Sequence, residues 1–97
     1  MRAANSTTPP ESPEIRLKRL RLRSWRRGIK EMDLILGRFA DDALGALAPG
    51  ELDVYEALLE EPDWDLYYWV TGAQPIPEAP ADRAALLVRI AEFHGIR

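Results

Sequence analysis

Ile29, Met32, Leu36, Phe39, Ala40, Ala43 and Leu47 recur at steps of three and four. That spacing lays one apolar stripe along a helix and does not suit the period-two alternation of a strand. It predicts a helix from Ile29 to about Leu44, and the rest of the chain must supply what covers the stripe. With 97 residues there is room for one domain and a small core, and little interior in which to enclose an active site.

The remaining elements follow from their breakers. Ser12-Pro13-Glu14 combines a capping hydroxyl, a proline suited to the first helical position and an acid near the positive dipole end, so a first helix is expected from Pro13 to Arg27. Its apolar residues are scattered among cations, which places it at one edge of the core with basic surface left for a partner. Ala48-Pro49-Gly50 interrupts the long stripe, and Leu52, Tyr55, Leu58 and Leu59 give a third helix that ends before Pro62. Asp63 reads as the N-cap of a short fourth helix closed by Gly72. Within it Leu66 and Trp69 are expected in the core, with Trp64 and Tyr68 as surface anchors. Three prolines between Gln74 and Pro80 predict an extended connection. A fifth helix follows from Ala81 or Asp82, with Leu86, Leu87, Ile90, Ala91 and Phe93 facing inward and Gly95 ending it. The expectation is an all-α, five-helix antiparallel bundle over residues 13–97, preceded by a polar tail, residues 1–12, with little to bury.

Charge is unevenly spread. Residues 1–38 carry ten Lys or Arg against four acids, while residues 39–97 carry three against twelve. The imbalance suggests a basic docking face on an acidic body. It also admits a nucleic-acid reading, in which cations neutralise phosphates beside Trp25. The whole-chain pI of about 5.1 and the lack of a recognition-helix signature oppose that reading. Without cysteine there is no disulfide or thiolate chemistry. No apolar run spans a bilayer and no secretory signal core is present, so a soluble protein of the bacterial cytoplasm is expected, with a mitochondrial origin as the alternative.

Candidate catalytic groups are sparse. His94, the only histidine, falls in the last turn of a helix, where a capping role suits it. Asp41-Asp42, Glu60-Glu61 and Asp63-Trp64-Asp65 lack the ligand spacing and central glycine of a calcium loop. No phosphate-cradling glycine motif occurs. The expectation is therefore a binding protein with no catalytic residue, no metal and no cofactor of its own.

The sharpest local feature is the corner Arg26-Arg27-Gly28-Ile29-Lys30-Glu31, where the basic run gives way to the long stripe. Two readings compete. It is a helix connector with a local Arg27–Glu31 ion pair, or a surface where an absent side chain at Gly28 lets another backbone approach.

Arg27-Gly28-Ile29-Lys30-Glu31 resembles the Arg-Gly-x-x-Glu signature of the small factors that promote covalent attachment of FAD to the flavoprotein subunit of succinate dehydrogenase. The likeness runs on through Asp33 and Phe39 and resumes at Pro62-Asp63-Trp64-Asp65-Leu66-Tyr67-Tyr68-Trp69-Val70-Thr71-Gly72, similar to that family's second block. The resemblance implies a helical bundle and an assembly factor of the tricarboxylic acid cycle that is not an enzyme. Its partner would be the succinate dehydrogenase flavoprotein subunit, and by extension that of fumarate reductase. FAD would belong to the client, whose own histidine attacks the flavin ring methyl carbon. By the same resemblance Arg27, Gly28 and Glu31 would meet the partner, with Arg26, Lys30 and Asp33 as further contacts, Glu31 either accepting from the client or holding Arg27. The factor is expected to be a monomer when free. The alternative kept beside it is a basic-faced helical module for nucleic acid or another protein.

Overall fold

The computed structural model describes residues 11–97, so residues 1–10 of the expected tail lie outside the described part. Five α-helices follow in order: α1, Pro13–Trp25; α2, Lys30–Ala43; α3, Pro49–Leu58; α4, Asp63–Thr71; and α5, Ala81–Phe93. A single 3-10 turn, Leu44–Ala46, extends α2. No strand is present among the described residues.

The stripe that predicts α2 is the centre of the core. Met32, Leu36, Phe39, Ala40, Leu44 and Leu47 are all buried, with Ile29 and Ala43 partly so. α1 lies along α2, α5 packs against both α3 and α4, and α2 touches α4 and α5. Leu20 of α1, Tyr55 and Leu58 of α3, Leu66 and Val70 of α4, and Leu87 and Ile90 of α5 complete the core. Burying one such aliphatic side chain contributes about 1.5 to 3 kcal/mol.

Two expected core positions differ. In α4 the deeply buried pair is Leu66 and Val70, four apart, while Trp69 is half-buried with the Arg83 guanidinium 5.7 Å from its ring centre. The large indole fits at the margin, where a cation covers its face, and the smaller valine takes the tight position. Phe93 is exposed rather than inward, although its ring meets Phe39 edge-on at 5.5 Å.

One polar link crosses the core. Ser24 donates to the Leu20 carbonyl at 2.7 Å, and its oxygen lies 2.6 Å from the Tyr55 hydroxyl. Burial pushes the Tyr55 hydroxyl up to about 12, so it stays a neutral donor.

Several ends are set as their residues dictate. The Ser12 hydroxyl accepts from Ile15 N at the start of α1. Pro49 opens α3, and Glu51 accepts from Ala48 N at 2.8 Å, supplying half of a capping box where alanine offers no acceptor. Asp63 is not the cap of α4: Pro62 holds that position and Asp63 is the first helical residue, which frees its carboxylate for another use. His94 caps α5, and its Nε2 donates to the Ile35 carbonyl at 2.7 Å, tying that end to α2. Among the described residues no helix is long and apolar enough to cross a membrane.

Candidate functional site

The corner forms because α1 stops early. The helix ends at Trp25 rather than Arg27, and Arg26 leaves it with φ −123. Gly28 then turns at φ +109, a region that side-chain-bearing residues rarely occupy, and Ile29 is extended before α2 begins. Ile29 has no side-chain acceptor for the free N–H groups of the new helix. Asp33, in the first turn of α2, reaches back and accepts from Arg27 N at 2.6 Å.

Arg27 is bound into the chain itself. Its Nε donates to Asp63 Oδ1 at 2.7 Å, one terminal nitrogen to the Leu59 carbonyl, and the other to the Glu61 carbonyl at 2.7 Å. The Arg27 side chain is 10% exposed and that of Asp63 17%. The guanidinium fork thus clips the corner to the end of α3 and the start of α4. Arg27 was expected to reach a partner's acceptor, but here every side of its guanidinium has an internal acceptor. Glu31, expected as its ion-pair partner or as an acceptor for a client donor, stands exposed; Asp63 takes the pairing role.

The six residues singled out in the sequence therefore divide. Arg27 and Asp33 turn inward and hold the corner. Arg26, Gly28, Lys30 and Glu31 are exposed, and among the described residues none of the three charged ones forms an ion pair at or under 4.0 Å. A Cβ placed on Gly28 would sit 3.8 Å from Asp63 Oδ2, an ordinary contact, so space around this glycine is open and its constraint is backbone conformation.

Sequence reasoning missed Asp63 as the clamp's acid, having assigned it to capping. The signal available was its place in the second matching block, a charged residue without a local partner. Next to it Trp64 is half exposed, its ring edge-on to Tyr67 at 5.5 Å. A cleft of about 520 Å³ opens beside the corner, bordered by Leu22, Arg26, Leu59, Glu60 and Pro62.

The basic face of α1 is also not free as expected. Arg16 pairs with Asp53 and Glu56, Arg19 with Glu11 and Glu56, and Arg23 with Glu60. These acids, Asp53 and Glu56 of α3 with Glu11 and Glu60 outside it, neutralise cations that a phosphate backbone would need, which weakens the nucleic-acid reading. Among the described residues no group of three or more metal-ligating side chains converges. The arrangement offers a rigid, exposed corner for binding rather than a nucleophile and base in contact.

Known proteins align with most of this chain. It is 46% identical over 79 residues to "Succinate dehydrogenase assembly factor 2, mitochondrial" of Scheffersomyces stipitis, covering 78% of this chain and 53% of that protein. It is 48% identical over 71 residues to the protein of that name from Candida glabrata, covering 70% and 46%. For the Schizosaccharomyces pombe protein the identity is 43% over 68 residues, covering 70% and 49%. The chain spans about half the length of these curated relatives. The expectation of a bacterial cytoplasmic protein is corrected by these names, since the relatives are fungal and called mitochondrial. Residues 18–94, which include the corner, the Arg27–Asp63 clamp and all of the core, match a family described as the flavinator of succinate dehydrogenase, and the chain belongs to that family.

Proposed function

We propose that this chain is an assembly factor, not an enzyme, that binds the flavoprotein subunit of succinate dehydrogenase and promotes covalent attachment of FAD to it. The related fumarate reductase flavoprotein is a second client on this reading, and the free factor is a monomer. The relatives' names point to mitochondria as the compartment. The observation that carries the proposal is the exposed Gly28 at φ +109, flanked by Arg26, Lys30 and Glu31 and held from behind by Arg27.

A surface this rigid loses little conformational freedom on docking, so more of its contact energy remains as affinity. Gly28 lets the client backbone come close, the three charged neighbours fix orientation, and Trp64 supplies an aromatic anchor. On this reading FAD stays with the client. Bound in the client, FAD supplies the electrophilic ring methyl group for linkage to a client histidine. The factor's contribution is selection, since it favours the client conformation in which that histidine is aligned by binding it more tightly than the others.

The test is covalent flavin on the succinate dehydrogenase flavoprotein, read as fluorescence that survives denaturing electrophoresis in cells lacking this protein and complemented with variants. Wild type restores the signal, and Glu31→Ala lowers it. Gly28→Ala and Gly28→Arg both incur the backbone cost of a positive φ, on the order of 1–3 kcal/mol, but only arginine adds bulk. A Gly28→Arg loss well beyond that of Gly28→Ala, with both helical by circular dichroism, supports docking through the corner. Equal fluorescence with and without the protein removes the proposal.

A further inference from the structure

Two exposed cations of the basic run, Lys18 and Arg26, are left unpaired and fall into a pattern with exposed aliphatics. Ile15, Lys18 and Leu22 follow at steps of three and four down the side of α1 opposite buried Leu20 and Ser24, and Arg26 comes just after the helix ends. Ile15 is 57% exposed and Leu22 52%. Lys18 and Arg26 are exposed and, among the described residues, have no ion pair. Glu14 lies one turn before Lys18 yet forms no ion pair with it. Ile15, Lys18 and Leu22 thus run along about 10 Å of helix, at 1.5 Å per residue, with Arg26 just past its end. The row ends at the corner, where Leu22 and Arg26 border the cleft against Leu59 and Pro62.

We infer that this stripe is a second part of the docking surface, and that it takes an acidic, aliphatic-bearing segment of the client flavoprotein. The inference rests on the proposed function for the identity of the client. Charge complementarity argues for the occupant. The cations that α3 matches are neutralised in place, whereas Lys18 and Arg26 lack acids and sit among exposed aliphatics that water solvates poorly. A segment with carboxylates spaced between aliphatic side chains satisfies both. The cleft at the stripe's end admits a side chain against Leu22 and Leu59, and continuity with Gly28 makes one surface of the two.

The experiment is the affinity of the purified, FAD-loaded flavoprotein subunit for wild type, Lys18→Glu, Leu22→Ala, and Arg97→Glu as a control of equal charge change on an exposed residue beyond α5. Lys18→Glu is expected to weaken binding roughly tenfold at low salt, and less as salt rises. Leu22→Ala is expected to cost about fivefold, and Arg97→Glu under about twofold. A photo-crosslinker at position 22 should map to a client segment in which Asp or Glu alternate with aliphatics. If Lys18→Glu and Leu22→Ala bind like wild type while Gly28→Arg does not, the stripe is refuted and the corner stands. A crosslink to a neutral or basic segment, or equal weakening by Arg97→Glu, also overturns the inference. So does self-association that Leu22→Ala abolishes without changing client affinity. No binding of wild type to the flavoprotein overturns the proposed function and this inference with it.

Discussion

Arginines of one basic run meet two different fates. Arg16, Arg19 and Arg23 form a ladder with acids of α3 and of the turn after it on a wet surface, where the Asp53 and Glu60 side chains are 70% or more exposed. Arg27, four residues further on, is enclosed with one carboxylate and two backbone carbonyls. In the ladder water competes for every partner, so each pair contributes about 0 to 1 kcal/mol and can be lost singly. In the clamp water reaches the pair only from the cleft side, and the carbonyls of Leu59 and Glu61 lose their donor when the guanidinium is removed. A tally of ion pairs would rank the ladder higher, while the geometry of the docking corner depends on the clamp.

The largest effect should come from breaking that contrast directly. Arg27→Ala leaves Asp63 and the Leu59 and Glu61 carbonyls without their donor, at an expected cost of about 2 to 4 kcal/mol. In urea unfolding, with a slope on the order of 1 kcal/mol per molar, the midpoint falls by about 2 M or more. Arg23→Ala should move it by less than about 1 M. Arg27→Lys keeps the charge but not the fork, and should fall between wild type and alanine. If Arg27→Ala and Arg23→Ala cost the same, the distinction between clamp and ladder is gone.

A second contact sharpens it from the apolar side. The Trp25 ring lies on Gly37 of α2, where an added Cβ would come under 3.0 Å from three ring carbons, and its Nε1 donates to Asp41 at 3.2 Å. Alanine is the better helix former by about 1 kcal/mol, yet Gly37→Ala must push the indole aside, so a net loss of about 1 to 2 kcal/mol is expected. In a Trp25→Ala background the obstruction is gone and the same substitution should stabilise. Thermal unfolding of the four variants of this cycle reads the sign change. The same sign in both backgrounds would mean the ring does not set the α1–α2 approach.

These two sites also show what the sequence could and could not disclose. The α2 stripe was legible because one helix face repeats every three or four residues and all of it is buried or partly buried against the core. The end of α1, two residues earlier than expected, was less so, because the stretch beyond it is held by a contact distant in sequence, from Arg27 to Asp63, 36 residues away. The direction of the site residues was hidden for the same reason: the Arg-Gly-x-x-Glu stretch marks the corner, but whether Arg27 faces out depends on the α3–α4 turn. The neutralised basic face was legible in principle. Arg16, Arg19 and Arg23 are spaced by three and four, and so are Asp53, Glu56 and Glu60, two matching rows for segments that face each other.

The smallest effect tests the ladder through pH. Glu56 is held below the ordinary 4.5 by its hydrogen bond from Arg19, opposed by partial burial and reinforced by Arg16. Glu11 is lowered as well, again chiefly by Arg19. A carboxylate whose folded value lies below its unfolded value binds fewer protons when folded, so its stabilisation is complete above about 4.5 and fades as pH falls through the lower folded value. At neutral pH Glu56→Gln should therefore be less stable than wild type by under about 1 kcal/mol. The gap should narrow below pH 4.5, where wild type loses the same charge by protonation. Molar salt should shrink it too, since the Debye length falls to about 3 Å, whereas most of the deficit of Arg27→Ala should persist because it includes two hydrogen bonds to neutral carbonyls, which salt does not screen. A gap for Glu56→Gln that resists both acid and salt would place its carboxylate in as enclosed a setting as that of Asp63, and the two regions would then differ in position only.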